Sequence, residues 1–207
     1  MQVKEITVGI VQTCCYILSK EEDSPECIVI DPGDEAARIR KAAGGKRIAA
    51  ILLTHGHFDH IGAVRDLADH EQLNSESGIQ NSELSAAAEP KTRIIIHELD
   101  APMLGDPVLN AGMGLLRRSI TAPEATDTVR EGDELELAGL KVQVLHTPGH
   151  TPGSVCYLIE GELFTGDTIF EYGWGRTDLP GGSEEEMVKS LRRLAPMVRS
   201  MPMHAGH

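Results

Sequence analysis

A cluster of histidines follows directly after the most apolar segment of the chain. Residues 48–54 form a nearly continuous apolar run, as expected for a strand covered on both faces, and residues 55–60 then read HGHFDH. Imidazole is costly to bury without a partner, and neighbouring histidines repel one another when protonated. A divalent cation resolves both problems, because neutral imidazole and carboxylate are among its usual ligands. The motif therefore predicts a metal site at the end of a buried strand.

The spacing within this motif bears on the number of metal ions. His55 and His57 are two residues apart, so on an extended segment their side chains point the same way. Asp59 and His60 lie just beyond, where the chain is predicted to turn into a helix, and they can face a second cation. The motif is therefore compatible with two neighbouring ions.

Other candidate ligands lie in loops that glycine and proline stiffen. His150 lies within TPGHTPGS at 147–154, Asp167 follows a predicted strand, and His207 ends the chain in AGH. A metal ligand needs a rigid mount of this kind. His204 is the alternative to His207 as the last ligand.

These motifs, taken together, resemble the metallo-β-lactamase superfamily: HxHxDH after an apolar strand, TPGHTPGS, TGD and a terminal GH. The segment GWGRTDLPGG at 173–182 is similar to that of small single-domain hydrolases of the glyoxalase II (hydroxyacylglutathione hydrolase) type. The resemblance covers nearly the whole chain apart from 72–91. It implies an α/β (α+β) fold, the four-layer αββα sandwich, with the metals at one edge.

The resemblance also implies a division of the ligands between two metal ions. One ion would be held by His55, His57 and His150, the other by Asp59, His60 and His207, with Asp167 bridging both. Zinc is the expected metal, with iron or manganese as alternatives. Asp59 is expected to be a catalytic residue as well, because it would hydrogen-bond the bridging hydroxide.

Such a centre predicts a metal-dependent hydrolase that acts on a thioester or ester. A hydroxide shared by the two cations would attack the carbonyl, and one cation would stabilise the oxyanion. A thioester suits the site, since a thiolate leaves without a strong general acid. The expected partner is therefore a small-molecule thioester or ester.

Other functions on the same fold stay open. A mononuclear iron enzyme similar to persulfide dioxygenases would use His55, His150 and Asp167, and the second-site candidate His207 disfavours it. A lactonase or β-lactamase would need the same metals and different pocket loops. A metal-stabilised binding module without activity would need blocked coordination positions.

Composition limits the class of domain and the kinds of partner that we expect for this chain. The 207 residues are 41% hydrophobic and 25% charged, which is typical of a globular domain, and we expect a single domain over 1–207 with a surface insertion at about 72–91. The net charge of −13 and the 3% aromatic content disfavour a nucleic-acid partner and an RNase-type function. Because no apolar run approaches ~20 residues, no membrane span is expected. Four cysteines without CxxC spacing are expected to be reduced, in a cytoplasmic protein.

Periodicity and turn residues predict the elements around these motifs. Strands are expected at 3–8, 15–18, 27–30, 48–54 and 93–97, hairpins over 134–146 and 155–165, and helices at 35–43, about 60–70, 99–104, 108–118 and 184–194. Residues 31–34 are expected to cap the first helix, and 166–182 to form a glycine-rich loop.

Several other polar residues are expected to support the site. Arg176 and Asp178 are predicted to form a buried ion pair in the site wall, with substrate contact as the alternative. His146 is expected to lie behind the ligands or to be structural. Thr54 and Thr168 are candidates for hydrogen bonds to ligands.

Overall fold

The framework of the protein, known from a computed structural model, is a pair of β-sheets with a short two-stranded ribbon. The structure describes residues 1–69 and 91–207. The insertion expected at 72–91 lies outside the described residues apart from Lys91. Both that insertion and the single-domain organisation over 1–207 therefore stay predictions.

Within the described residues, the first sheet has six strands that pair in chain order. They are β1 Gln2–Val8, β2 Thr13–Ser19, β3 Glu26–Ile30, β4 Arg47–Leu52, β5 Arg93–His97 and β6 Asp127–Val129. The first three strands pair antiparallel, and β3 to β6 pair parallel. Parallel strands present their carboxyl ends at one edge of a sheet, so the segments that follow β3, β4 and β5 meet there.

The second sheet has the order β13-β10-β9-β8-β7. Its strands are β7 Glu134–Leu137, β8 Leu140–His146, β9 Val155–Ile159, β10 Glu162–Gly166 and β13 Met203–Ala205. The ribbon consists of β11 Ile169–Phe170 and β12 Gly173–Trp174. Both predicted hairpins are confirmed, as β7 with β8 and β9 with β10.

Five α-helices and one 3₁₀ helix are present in the described residues. They are α1 Ala36–Ala43, α2 Phe58–Ile61, α3 Val64–Ala68, the 3₁₀ helix Ala101–Leu104, α4 Gly112–Leu116 and α5 Glu184–Leu194. Helix α5 begins at the predicted residue because the Ser183 side chain accepts a hydrogen bond from the Glu186 amide and three glutamates occupy its first turn.

The main core lies between the two sheets. Leu18 and Leu52 of the first sheet pack with Val144 and Tyr157 of the second. The other face of the first sheet packs against α1 and α3, and the other face of the second packs against α5. The layers therefore run helix, sheet, sheet, helix, and the predicted four-layer αββα sandwich is confirmed.

The predicted cap of α1 is wrong. Glu35 takes the N-cap position with a left-handed φ of 56°, and its side chain makes no capping hydrogen bond in the described part of the chain. The Asp34 carboxylate accepts the adjacent Glu35 amide at 2.7 Å instead, so it does not reach the first helical turn. The predicted end of the helix is confirmed, because Gly44 adopts the left-handed conformation there.

Two predicted helices and one predicted loop differ from what periodicity suggests. The helix expected at 60–70 is split into α2 and α3, because the Ala63 amide donates to Pro32 O at 2.9 Å outside the helix. The helix expected at 108–118 shortens to α4, since Ala111 and Arg117 flank it in left-handed conformations. The loop expected at 166–182 contains the β11–β12 ribbon.

The structure bears on two expectations drawn from composition, the state of the cysteines and the lack of a membrane span. All four cysteines are free, and three of them, Cys15, Cys27 and Cys156, are buried. No helix among the described residues has the length and apolar character needed to cross a membrane.

Candidate metal centre

The seven predicted ligands come from five segments that meet at one edge of the sandwich. The loop after β4 carries His55 and His57, and α2 carries Asp59 and His60. The β8–β9 loop carries His150, and the segments after β10 and β13 carry Asp167 and His207. The turn after β3 packs directly against α2 at this edge. Only glycine fits at position 33, because a Cβ there would lie 1.7 Å from the Asp59 carbonyl oxygen.

The ligand atoms of these residues form three overlapping groups, each within 4.8 Å. The groups are His55, His57 and His150; His55, His60 and Asp167; and Asp59, His60 and His207. We call the first the three-imidazole group and the last the mixed group. The structure thus brings all seven residues together, while their roles as ligands stay a prediction.

Asp167 lies between the two groups. Its Oδ1 lies 3.4 Å from His60 Nε2, and its Oδ2 lies 3.5 Å from His150 Nε2 and 3.6 Å from His207 Nε2. One carboxylate therefore faces ligands of both groups, as a bridging residue must.

The buried polar atoms of the cluster test whether a metal fits. Among the described residues, His55 Nε2, His60 Nε2 and Asp167 Oδ1 are buried without a hydrogen-bond partner. Such an atom ordinarily costs about 1–3 kcal/mol. These atoms come from the loop after β4, from α2 and from the segment after β10, and a divalent cation would satisfy them together, so the residues fit the metals that the sequence predicts.

Hydrogen bonds on the far side of two rings leave Nε2 free for a metal. The Thr54 hydroxyl donates to Asp31 Oδ2 at 2.6 Å, so at 3.1 Å it accepts from His55 Nδ1. His150 Nδ1 donates to the Arg176 carbonyl at 2.7 Å. With the proton on Nδ1, each ring presents the Nε2 lone pair to the cluster. Thr54 therefore supports a predicted ligand, but it accepts the hydrogen bond from His55, whereas the sequence suggests that it would donate one.

The three-imidazole group is held in the neutral state. Burial, followed by the charge of His60, lowers the pKa of His55 well below its ordinary value. Burial, followed by the charge of His150, lowers the pKa of His57 to about 3. Burial also lowers the pKa of His150. All three rings are thus neutral at pH 7, which is the form that binds metal.

The mixed group is charge-paired. Burial lowers the pKa of His60, but the carboxylates of Asp31 and Asp167 outweigh burial and raise that pKa well above its ordinary value. For His207 the hydrogen bond to Asp59 likewise outweighs burial and raises the pKa. The two groups therefore differ in charge although they share one edge.

Sequence reasoning missed Asp31. Its buried carboxylate accepts the Thr54 amide at 2.8 Å and the Thr54 hydroxyl, and its Oδ2 lies 3.0 Å from His60 Nδ1. A signal was available, because Asp31 directly follows β3, the parallel neighbour of β4, and the two strand ends must be adjacent.

Sequence reasoning also missed Asp100. Its fully buried carboxylate accepts hydrogen bonds from Gly56, Thr151 and Gly153, which flank predicted ligands in two loops. A lone aspartate after β5, within HELDAP, carries no motif that would reveal this contact.

Several other predictions are settled by position. His204 Nε2 lies 2.6 Å from Glu162 outside the cluster, so His207 and not His204 joins it. The ion pair of Arg176 and Asp178 forms, but its side chains are 51% and 67% exposed, so the predicted burial is wrong. Arg176 instead supports the site through its backbone, because its carbonyl accepts a hydrogen bond from His150 Nδ1.

The two remaining support candidates lie behind the cluster. His146 Nε2 donates to the Pro152 carbonyl at 2.9 Å, which is a structural contact with the His150 loop. Thr168 hydrogen-bonds Thr147 at 3.0 Å, and within residues 1–69 and 91–207 its hydroxyl makes no hydrogen bond to a predicted ligand, so its predicted role is wrong.

A cavity of about 150 Å³ opens over the cluster. Its lining includes five of the predicted ligands together with Val11, Phe58, Ala111, Leu115, Arg176 and Leu179. The lining therefore combines apolar side chains, which we call the apolar wall, with predicted metal ligands.

Comparison with known proteins identifies the family. The sequence model of the Metallo-beta-lactamase superfamily matches residues 9–201. This chain belongs to the metallo-beta-lactamase superfamily. Membership of this superfamily, together with the His/Asp cluster, supports a metallo-hydrolase.

Two curated relatives align over nearly their whole length. The probable metallo-hydrolase YqgX of Bacillus subtilis is 33% identical, over 100% of this chain and 90% of that protein. The hydroxyacylglutathione hydrolase GloC of Haemophilus influenzae is 32% identical, over 100% of this chain and 91% of that protein.

Two solved structures share the fold. The B3 metallo-beta-lactamase BLEG-1 superposes with a TM-score of 0.84 and 32% identity, over 100% of this chain and 91% of that one. TTHA1623 in a di-iron-bound form superposes with a TM-score of 0.77 and 32% identity, over 99% and 92%.

Proposed function

We propose that this protein is a binuclear-metal thioester hydrolase similar to hydroxyacylglutathione hydrolase. The position of Asp167 between the three-imidazole group and the mixed group carries the proposal, because a shared carboxylate serves a pair of ions and not one. The relative GloC, which bears the name of such a hydrolase, supports the substrate class.

Two divalent cations would be held by the seven predicted ligands. The ligands are His55, His57 and His150 for one ion, Asp59, His60 and His207 for the other, and Asp167 for both. Imidazole and carboxylate suit zinc, with iron and manganese as alternatives. The neighbour TTHA1623 was solved in a di-iron-bound form, which keeps iron among the candidates for this protein. If bound there, such cations would lower the pKa of water toward 7 and would polarise a carbonyl.

The residues of the chain orient the reactants. Asp59 borders the cavity, and its Oδ2 lies 3.3 Å from His207 Nε2. A carboxylate there accepts a hydrogen bond from the attacking water and fixes the direction of its lone pair toward the substrate carbonyl. This is the catalytic role predicted for Asp59.

The cavity lining favours a good leaving group. Among the described lining residues, every member that is not a predicted ligand is apolar except Arg176. The Asp178 carboxylate raises the pKa of Arg176, so its guanidinium does not act as a general acid. An amine leaves poorly without a proton donor, whereas a thiolate leaves without one. The lining therefore favours a thioester over a β-lactam amide.

The apolar wall indicates where the acyl group binds. Val11, Ala111 and Leu115 line the same cavity as five of the predicted ligands. An acyl chain would pack against these side chains, since burial of apolar surface is favourable by about 25 cal/mol per Å². Its carbonyl would then lie in the cavity that the predicted metal ligands also line.

A substrate panel with metal analysis tests the proposal. The purified protein is assayed with lactoylglutathione, other acyl thioesters, a lactone, nitrocefin and glutathione persulfide, before and after chelation. We expect thioester hydrolysis that chelation abolishes and that zinc restores. Oxygen consumption with glutathione persulfide, or hydrolysis of nitrocefin without thioester hydrolysis, would overturn the proposal.

A further inference from the structure

One carboxylate joins the two loops that carry the three-imidazole group. Asp100 precedes the 3₁₀ helix after β5 and is fully buried. Its Oδ2 accepts the Gly56 amide at 3.1 Å and the Thr151 hydroxyl at 2.6 Å, and its Oδ1 accepts the Gly153 amide at 2.6 Å. These donors lie 44 to 53 residues away along the chain.

Each donor is next to a predicted ligand or close to one. Gly56 separates His55 from His57, and Thr151 directly follows His150. A displacement of the Asp100 carboxylate would therefore move both loops relative to one another. The distance between His57 Nδ1 and His150 Nε2, which is 2.8 Å, depends on that relative position.

Close packing around Asp100 restricts the positions that the two loops can adopt. A Cβ on Gly153 would lie 2.6 Å from Asp100 Oδ1, and a Cβ on Gly56 would lie 2.5 Å from the Cβ of Met103. Both loops are thus pressed against the same short helical segment, and glycine permits that close approach.

The chemistry of the contact requires two acceptor oxygens. All three partners of Asp100 are donors, and a carboxylate offers acceptor sites on both oxygens. An asparagine would place an NH₂ group against the Gly153 amide in one orientation and against the Gly56 amide in the other. Asp100→Asn therefore preserves the side-chain volume but breaks one link between the loops.

We propose that Asp100 is a positioning residue for the three-imidazole group, which sets the metal affinity of that group without touching the ion. The inference rests on the proposed pair of metal sites, and it does not depend on which substrate is hydrolysed. Partners that orient ligands in this way typically change metal affinity about 10–100-fold when removed.

The experiment measures zinc affinity of each group separately. In a His207→Ala background the three-imidazole group stays intact, and in a His150→Ala background the mixed group stays intact. Zinc dissociation constants are determined by competition with a chromophoric chelator, with and without Asp100→Asn. We expect a loss of about 10–100-fold in the first background and of no more than roughly twofold in the second.

Two controls separate positioning from general weakening of the fold. Ile39→Ala removes buried volume in α1, a helix that carries no predicted ligand and no partner of Asp100, so it lowers the unfolding temperature and leaves both zinc affinities unchanged. Thr151→Val removes one donor to Asp100, so its effect on the three-imidazole group is not additive with that of Asp100→Asn. It also provides the test if Asp100→Asn does not fold.

Equal losses of affinity in the two backgrounds would overturn the inference, as would a loss reproduced by Ile39→Ala. Absence of zinc binding in the His207→Ala background would overturn it as well. Absence of thioester hydrolysis with the expected affinities would overturn the proposed function alone.

Discussion

The imidazole rings of His97 and His146 stack with 4.2 Å between their centroids and 10° between their planes. His97 ends β5 and His146 ends β8, so the pair joins the two sheets. His97 Nδ1 accepts the Leu99 amide at 3.2 Å, which requires an unprotonated nitrogen. Burial, followed by the charge of His146, lowers the pKa of His97 to about 4.

This pair predicts a loss of stability in acid. Because the folded pKa of His97 lies below the unfolded value of about 6.5, the unfolded state binds more protons between these values. The contribution of His97 to the free energy of unfolding should be nearly level above pH 7 and fall by about 3 kcal/mol as the pH drops to 4. Urea unfolding at pH 7 and pH 4.5 should show a smaller drop for His97→Asn than for the wild type. Equal drops in the two proteins would contradict the assignment.

The last ligand can be tested with a matched pair of histidines. His207→Ala should remove one metal equivalent and lower thioester hydrolysis by about 100-fold or more, because the mixed group loses a ligand. His204→Ala removes a contact to Glu162 outside the cluster, so it should retain both metals and nearly all activity. Metal analysis and initial rates distinguish them. Loss of metal in His204→Ala with retention in His207→Ala would reverse the assignment.

The His150 loop should not tolerate a side chain at Gly149. Gly149 has a φ of 141°, and a Cβ there would lie 2.4 Å from the Cα of Met187 in α5. Gly149→Ala should lower the free energy of unfolding by about 3 kcal/mol and reduce zinc binding, because strain and displacement of α5 add together. Gly44→Ala, which also has a positive φ but open space around it, should cost only about 1 kcal/mol. Thermal unfolding of both variants is the measurement, and equal losses would contradict the packing argument.

The apolar wall of the cavity should affect substrate binding more than chemistry. Leu115 lines the cavity, whereas the similarly exposed Met113 of the same helix does not line it in the described part of the chain. Leu115→Ala should raise KM for an acyl thioester about fivefold with little change in kcat, since about 1 kcal/mol of apolar burial is lost. Met113→Ala serves as the control and should match the wild type. A fall in kcat without a change in KM would place the acyl group elsewhere.

The ligand cluster was predictable because its signal is local or carried by distinctive loops. Three histidines and a carboxylate directly after an apolar strand are costly to bury together unless a cation binds them, and glycine and proline mark the loops of His150 and Asp167. The αββα layering follows from the family resemblance, and the core between the sheets, which includes Leu52 and Tyr157, confirms it.

The support behind the ligands was not predictable in the same way. Asp100 reaches Gly56 and Gly153 across the fold, and a single aspartate has no periodicity or spacing that would reveal such a contact. The exposure of the Arg176–Asp178 pair likewise depends on how its loop is placed, which charge complementarity alone does not determine. The break between α2 and α3 arises from the tertiary hydrogen bond of Ala63 to Pro32, which competes with the helical pattern.

Zinc titration of chelator-treated protein, followed by thioester hydrolysis, tests directly whether two ions act in one site. If Asp167 bridges the three-imidazole group and the mixed group, full activity should require two equivalents of zinc, and Asp167→Asn should weaken the binding of both. Full activity at one equivalent, or hydrolysis that persists in the metal-free protein, would contradict a binuclear hydrolase.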